Sequence, residues 1–270
     1  MSKILFADLD GTLLSDDKTI TEENKKAIVE TVKKGNYFVL ATGRTLYAVS
    51  DIIKQLNFTH PGCFVMSYNG GLITDMNSGR NIYERFLDFG IVEELFYAAE
   101  ESGVYIQTYQ GKKLFCNRDG EEARHYIEIS KHEIHETGTD VLKYLSKEPY
   151  KCLAIDLHNK SNLDTFIYKN KERFNGLVDF YYSGPDYLEL MPARANKGDG
   201  IVRLANYLNV FGQDTIAVGD QENDIAMLKV AAVGCAMKNA LDCVKEAADY
   251  VTENDNNHSG IAEIIHKFMM

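Results

Sequence analysis

Short apolar runs alternate with helical patterns in the first third of the chain. Residues 4–7, 37–41 and 63–66 are continuous apolar runs of the kind that form buried strands of a parallel sheet. Residues 21–34 and 45–56 lie between them and carry apolar positions at helical spacing. Strands that alternate with helices in this way predict a parallel sheet with helices packed on its faces.

The pattern changes near residue 80 and returns near residue 197. Residues 83–187 mix helical segments with amphipathic strands, including a hairpin predicted around Gly111. The later part of the chain resumes the alternation of strands and helices. We therefore predict an α/β fold class, with a doubly wound parallel-sheet core and an inserted α+β domain. The predicted core comprises residues 1–82 and 188–270, and the predicted inserted domain comprises residues 83–187.

Composition and charge narrow the classes of partner. The chain has 270 residues, of which 45% are hydrophobic and 26% are charged, as is usual for a globular protein. Its formal net charge of −11 disfavours nucleic acid and anionic membrane surfaces as partners. The five cysteines form no Cys-x-x-Cys pair, and neither a signal peptide nor an apolar run of about 18 residues is evident. We expect a cytoplasmic protein, and the sequence indicates no oligomeric state.

Acidic residues follow the first predicted strand. The chain reads Asp8-Leu9-Asp10-Gly11-Thr12 there, and ligand sites in open α/β sheets lie at the carboxyl ends of strands. Two close carboxylates repel each other unless a cation or a proton lies between them. A hard divalent ion with oxygen ligands is the natural partner for such a pair. A simpler interpretation is that Asp10-Gly11 forms only a turn.

A second strand end carries residues suited to an anion. Thr42-Gly43-Arg44 follows the second predicted strand and offers a hydroxyl, an unobstructed backbone amide and a guanidinium group. This set of donors fits a phosphate group. Taken alone the motif is weak, because Thr-Gly at a strand end is often only the start of a helix.

More carboxylates follow a strand in the last third of the chain. Gly219-Asp220 comes directly after that strand, and Asn223-Asp224 follows shortly afterwards. An acidic first turn of a helix would explain these residues equally well, because negative charge is favourable at a helix N-terminus. Lys197 opens the helix that follows the inserted segment, and by itself it would be interpreted as a surface lysine.

The order of these motifs resembles the haloacid dehalogenase superfamily of phosphohydrolases, in its Cof-like branch with a large α/β cap. The resemblance covers essentially the whole chain and extends to Asn69-Gly70 and Leu188-Glu189-Leu190-Met191-Pro192. It implies a Mg²⁺-dependent phosphatase of small phosphorylated metabolites, with sugar phosphates as the expected substrates. The reaction would pass through an aspartyl-phosphate intermediate, and residues 83–187 would form the cap.

The resemblance also implies a role for each motif residue. Asp8 would be the nucleophile, and Asp10 would act first as general acid and then as general base. Mg²⁺ would be held by Asp8, by the backbone carbonyl of Asp10 and by Asp220. Asn223 and Asp224 would orient the metal ligands. The phosphate-binding residues would be Leu9, Thr42, Gly43, Arg44, Lys197 and Asn223.

Two alternatives to a phosphatase stay open from the sequence. A phosphosugar mutase would share the same motifs but would retain the phosphoryl group instead of releasing inorganic phosphate. A phospho-accepting signalling or binding protein would be modified on Asp8 without turnover. Such a protein would not need an acid and base at Asp10, two residues after the acceptor.

Overall fold

The computed structural model describes residues 2–270, except for the side chain of Ile129. These residues divide into two compact units. The first unit comprises the chain up to Glu84 together with Asn196–Met270, and the second comprises Arg85–Ala195. In this part of the chain no helix is long and apolar enough to cross a membrane.

Three consecutive stretches of chain build the two units. The first contains β1 (Ile4–Ala7), α1 (Glu22–Lys33), β2 (Tyr37–Ala41), α2 (Ser50–Gln55), β3 (Cys63–Ser67), β4 (Leu72–Asp75) and β5 (Asn81–Glu84). The second contains α3 (Phe89–Glu101), β6 (Tyr105–Gln110), β7 (Lys113–Cys116), α4 (Glu121–Ser130), β8 (Glu133–Glu136), β9 (Cys152–Ile155), α5 (Lys160–Asn170), β10 (Val178–Gly184) and β11 (Tyr187–Pro192). The third contains α6 (Lys197–Leu208), β12 (Thr215–Gly219), α7 (Ile225–Val230), β13 (Val233–Ala236), α8 (Asp242–Ala247), β14 (Tyr250–Val251) and α9 (Gly260–Phe268).

The first unit is built on an eight-stranded sheet with the order β14-β13-β12-β1-β2-β3-β4-β5. The strands from β14 to β3 run parallel, and β4 and β5 add two antiparallel strands at one edge. In the register of the sheet, Ala7 lies beside both Leu40 and Val218. The carboxyl ends of β1, β2 and β12 therefore meet at one edge, where ligand sites of open α/β sheets form.

The central strands of this sheet are apolar and buried. All four residues of β1 and all five of β3 are inaccessible or nearly so. Helix α1 packs against α9, and α6 packs against α7. This arrangement of parallel strands and helices around one continuous apolar core confirms the predicted α/β fold class.

The second unit has a separate six-stranded sheet with the order β10-β11-β9-β6-β7-β8. Its neighbouring strands are antiparallel, except that β7 and β8 run parallel. The predicted hairpin is confirmed, since β6 and β7 pair directly around Gly111, whose φ of 59° suits a glycine at a tight turn. Two apolar clusters of its own give this unit an independent core.

The boundaries of the inserted domain differ from those predicted. The structure places the divisions after Glu84 and after Ala195, whereas the predicted inserted domain ended at residue 187. Strand β11 pairs with β9 and β10, so its residues belong to the second sheet. The sequence of an apolar strand such as β11 does not show which sheet the strand joins. The prediction therefore gave it to the wrong domain.

Several elements were predicted with the wrong extent or were missed. The helix expected over residues 45–56 is confined to α2, because turns occupy the residues before it. The pattern of apolar positions did not reveal β5, α4, β8 and β10. Strands β5 and β8 are four residues long and have no fully buried position, so they lack the apolar run that predicts a strand.

The substitution Gly234→Ala tests the close packing of α7 on β13. A Cβ atom added at Gly234 would collide with the backbone carbonyl of Leu228 in α7, and backbone atoms cannot move aside as a flexible side chain can. We expect Gly234→Ala to lower the free energy of unfolding by about 1–3 kcal/mol, measured by thermal and urea denaturation. Gly212→Ala is the matched control, because no atom of the described residues lies within 4 Å of its added Cβ. A Gly234→Ala protein as stable as the control would show that α7 does not need this contact.

Candidate active site

Three buried carboxylates meet at the carboxyl edge of the first sheet. Asp8 follows β1, and Asp220 and Asp224 follow β12. Each offers an oxygen atom within 4.8 Å of the others, and all three residues are buried. Within residues 2–270, no other group of three potential metal ligands is found this close together. The parallel register of β1 and β12 explains why these carboxylates lie close together, because it brings the ends of the two strands to the same level.

A buried lysine partly neutralises this group. Lys197 is the first residue of α6, and its side chain is fully buried rather than on the surface. Its Nζ donates hydrogen bonds of 2.6 Å to Oδ1 of Asp8 and 2.6 Å to Oδ1 of Asp224. Burial acts to lower the pKa of Lys197, but the two carboxylates outweigh burial and raise that pKa. Lys197 is therefore a permanent cation at neutral pH.

The side chain of Asp224 holds the loop that follows β12 in place. Oδ2 of Asp224 accepts the backbone N–H groups of Asp220 at 2.9 Å and of Gln221 at 3.0 Å. Because Oδ1 of Asp224 binds Lys197, both oxygens of this carboxylate are engaged within the protein. Asp224 thus fixes the loop that presents Asp220.

The loop after β1 is fitted closely around Asp220. Thr12 donates a hydrogen bond of 2.8 Å from Oγ1 to Oδ1 of Asp220. Gly11 has a φ of 74°, and a Cβ atom there would lie 2.5 Å from Oδ2 of Asp220. Glycine is required at this position on both grounds, conformation and space. The Asp-Gly-Thr motif therefore shapes the site through Gly11 and Thr12 as well as through its acidic residues.

The charges in this group do not balance, since three carboxylates face one ammonium. Burial raises the pKa of Asp8 well above its usual range, Lys197 opposes this, and Asp224 and Asp220 add to it. Burial and the neighbouring Asp224 likewise raise the pKa of Asp220 to about 6. Hard oxygen donors with an uncompensated negative charge fit a divalent cation such as Mg²⁺. The donor set of this site therefore agrees with the metal that the sequence predicted.

Asp10 lies outside the group of three because its side chain is held by Arg44. Nε of Arg44 donates to Oδ2 of Asp10 at 2.7 Å, and Nη2 donates to Oδ1 at 2.6 Å. Lys18 lies 3.3 Å from the same carboxylate. Burial acts to raise the pKa of Asp10, but Arg44 and Lys18 outweigh burial and lower it. The structure thus places the guanidinium of Arg44, predicted to bind phosphate, on a carboxylate of the protein.

The remaining phosphate-binding candidates also lie around this edge. The side chain of Leu9 is buried in the core, so only its backbone can serve a ligand. Thr42 is buried, and its Oγ1 accepts the backbone N–H of Arg44 at 3.1 Å. Asn223 donates a hydrogen bond of 3.1 Å from Nδ2 to Oδ1 of Asn69. Asn69 was not among the site residues predicted from the sequence, although Asn-Gly shortly after a strand is a recognisable turn signal.

Fold and site together define a class of enzyme. A family model described as haloacid dehalogenase-like hydrolase matches residues 5–265, and the chain therefore belongs to this family. A candidate phosphatase of Streptococcus pyogenes is 32% identical, with 99% of this chain and 98% of the relative covered. The 5-amino-6-(5-phospho-D-ribitylamino)uracil phosphatase YcsE of Bacillus subtilis is 30% identical, with 99% of this chain and 96% of that protein covered. The predicted family and the prediction of a phosphoric monoester hydrolase are thereby confirmed.

A solved structure shows the same fold. The crystal structure of a haloacid dehalogenase-like hydrolase from Bacteroides thetaiotaomicron matches with a TM-score of 0.89 and 31% sequence identity. The match covers 99% of both chains. The likeness thus extends over both compact units and includes the inserted domain.

The raised pKa of Asp220 predicts a pH-dependent effect of removing its charge. A folded-state pKa of about 6, against an ordinary value near 3.9, means that the folded protein binds this proton more tightly than the unfolded chain. The contribution of Asp220 to stability therefore falls as the pH rises from about 4 to about 6 and then stays constant. We expect Asp220→Asn to stabilise the metal-free protein above pH 6 by about 2–3 kcal/mol and to have little effect at pH 4.

Urea denaturation in a chelating buffer between pH 4 and pH 8 measures this difference. Asp51→Asn, on the exposed surface of α2, is the matched control and should change stability by less than about 0.5 kcal/mol at every pH. An Asp220→Asn protein that is less stable than the parent above pH 6 would mean that the carboxylate is well compensated in the fold.

Proposed function

We propose that the protein is a Mg²⁺-dependent phosphatase of small phosphorylated metabolites, acting through an aspartyl-phosphate on Asp8. The observation that carries the proposal is the buried Asp8 carboxylate, bound by Lys197 beside Asp220 and Asp224. An anionic nucleophile that approaches a phosphate is repelled by about 4 kcal/mol per pair of unit charges at 4 Å, at an effective dielectric constant of 20. Fixed positive charge beside the nucleophile is therefore a requirement of this chemistry, and Lys197 supplies it.

The reaction would proceed in two displacements at phosphorus. In the first, an oxygen of Asp8 forms a bond to phosphorus while the bond to the leaving oxygen breaks, and Asp10 gives that oxygen a proton. In the second, Asp10 takes a proton from water, whose oxygen displaces Asp8 and yields inorganic phosphate. Lys197, Thr42 and the backbone amides of the loops would hold the phosphoryl oxygens in both steps.

The residues that would hold Mg²⁺ are Asp8, Asp220 and the backbone carbonyl of Asp10. Asp224 is better suited to orienting them, because both of its oxygens are already engaged by Lys197 and by backbone N–H groups. When bound, Mg²⁺ neutralises the carboxylates and stabilises the charge on the transferred phosphoryl group. The excess negative charge described above supports this assignment.

The substrate class is proposed from the chemistry of a relative. By its name, the Bacillus subtilis phosphatase acts on a phosphate carried by a ribityl chain, a polyhydroxylated group like a sugar. We accordingly propose phosphorylated sugars and sugar alcohols as substrates, with the second unit, Arg85–Ala195, as the cap that selects among them. The five free cysteines support a reducing, cytoplasmic setting, and the net charge of −11 supports a small metabolite over nucleic acid as partner.

Asp8→Asn tests the covalent mechanism. A neutral amide cannot attack phosphorus as a carboxylate does, so we expect the variant to lose all Mg²⁺-dependent phosphate release from p-nitrophenyl phosphate. Asp51→Asn, the same substitution on the surface of α2, should keep the activity. Turnover of Asp8→Asn near that of the unaltered protein would exclude Asp8 as the nucleophile.

Release of inorganic phosphate from sugar phosphates also separates a phosphatase from a phosphosugar mutase, which keeps the phosphoryl group on the sugar.

Asp10→Asn tests the acid and base role with two substrates. We expect turnover to fall by about 10²- to 10⁴-fold with an alkyl phosphate, because its alkoxide leaving group needs a proton. With p-nitrophenyl phosphate the loss in the first displacement should be smaller, since nitrophenolate leaves without protonation. Burst and steady-state kinetics with both substrates measure the two displacements separately. Equal losses of the first displacement for the two substrates would argue that Asp10 does not protonate the leaving group.

A further inference from the structure

The turn between β3 and β4 has an unusual backbone. Tyr68, Asn69 and Gly70 have φ angles of 52°, 49° and 98°, three left-handed residues in succession. Glycine adopts such angles freely and asparagine tolerates them, but they are strained for a tyrosine. Strain of this kind persists only where the surrounding contacts hold it in place, and it concentrates at functional sites.

Backbone hydrogen bonds tie this turn to the loop after β2. The N–H of Tyr68 donates to the carbonyl of Arg44 at 3.1 Å, and the N–H of Asn69 donates to the carbonyl of Thr42 at 2.9 Å. The two accepting carbonyls belong to the residues on either side of Gly43 in the Thr-Gly-Arg motif. The position of the loop after β2, which carries this motif, thus depends on the position of the turn.

The same turn also lies against the start of α6. A Cβ atom added at Gly70 would collide with the carbonyl oxygen of Asn196, the residue before Lys197. Gly70 is therefore needed for its small size as well as for its positive φ. The backbone that carries Lys197 is packed directly on the turn.

The side chain of Asn69 completes the connection to a third loop. It is 1% exposed, and its Oδ1 accepts the hydrogen bond from Nδ2 of Asn223. On its other side, a Cβ atom at Gly43 would lie only 2.9 Å from Nδ2 of Asn69. That Nδ2 has no hydrogen-bond partner among residues 2–270, which is an unfavourable state for a buried amide. The side-chain amide of Asn69 is therefore packed closely between Gly43 and Asn223. Its oxygen is hydrogen-bonded, and its Nδ2 is not.

We infer that Asn69 is a positioning residue that orients the amide of Asn223 toward the phosphoryl group and fixes it relative to Thr42 and Lys197. This inference rests on the proposed phosphatase function, in which Asn223 contacts phosphate. Asn69 occupies one N–H of the Asn223 amide and so sets the direction of the other donor. Asn69 acts through Asn223 and not by contact with substrate, because its side chain is inaccessible.

Asn69→Gly removes the side chain and leaves the backbone free to keep its left-handed angle. We expect this variant to bind inorganic phosphate about 3- to 10-fold more weakly in Mg²⁺ buffer, the effect of one lost hydrogen bond. Isothermal calorimetry measures the binding, and steady-state kinetics with p-nitrophenyl phosphate should show a rise of KM by a similar factor. Asn209→Gly is the matched control, since Asn209 has a φ of 53° at the C-cap of α6 and is exposed. The control should bind phosphate as the unaltered protein does.

A double variant distinguishes positioning from a general structural effect. If Asn69 acts through Asn223, then Asn69→Gly combined with Asn223→Ala should bind phosphate no more weakly than Asn223→Ala alone. Additive losses in the double variant would overturn the inference, as would phosphate binding by Asn69→Gly within a factor of about two of the control.

Failure of this inference and failure of the proposed function give different results. If Asp8→Asn loses turnover and Asn223→Ala weakens phosphate binding while Asn69→Gly does not, only the role of Asn69 is wrong. If Asp8→Asn keeps turnover and Asn223→Ala binds phosphate normally, the phosphatase mechanism itself is wrong, and the role of Asn69 with it.

Discussion

The site depends on one buried ammonium group between two carboxylates. Removing charged groups from water is costly, and a buried ion pair is tolerated only when its geometry and hydrogen bonds are nearly ideal. Lys197 meets this condition, with short bonds to Asp8 and Asp224 and a fully buried side chain. Its positive charge offsets part of the negative charge that the carboxylates bring together at this edge of the sheet. With it, the group still carries excess negative charge, which only a proton or a cation can remove.

That excess charge links stability to function. Burial in this fold makes the ionised forms of Asp8 and Asp220 less favourable than in water, and the neighbouring carboxylates add to this, as their raised pKa values show. The same environment favours a divalent cation, because a cation offsets both the burial and the repulsion between carboxylates that raise those values. Contacts within the protein hold both loops in place. Gly11 and Thr12 in the loop after β1 fit around Asp220, and Asp224 accepts backbone hydrogen bonds from the loop after β12. The site is therefore preorganised in its shape, while its charge remains to be balanced by what it binds.

The sequence could predict the parts of this site that follow from topology. Parallel strands bring their carboxyl ends together whatever lies between them, and Asp8 and Asp220 do lie close together at the ends of β1 and β12. Thr42 follows β2, the other neighbour of β1 in the sheet. The partners of individual side chains are set by three-dimensional packing and could not be predicted. Arg44 was expected to face phosphate because of its type, yet its guanidinium lies on Asp10. The place of β11 in the second sheet was missed for the same reason, since pairing between distant strands leaves no mark in a short apolar run.

The pairing of Asp10 with Arg44 constrains the order of events in the proposed mechanism. A carboxylate whose pKa is lowered by a bidentate guanidinium is ionised at neutral pH, so in this arrangement Asp10 can accept a proton but cannot donate one. Donation to the leaving group requires that Asp10 first separate from Arg44 and Lys18 and then gain a proton. The same contacts make Asp10 a weaker base for the second displacement, because a lowered pKa disfavours its taking a proton from water. Both displacements of the proposed mechanism therefore need a different side-chain position for Asp10. Substrate binding would supply it if an incoming phosphate competed with Asp10 for the guanidinium of Arg44.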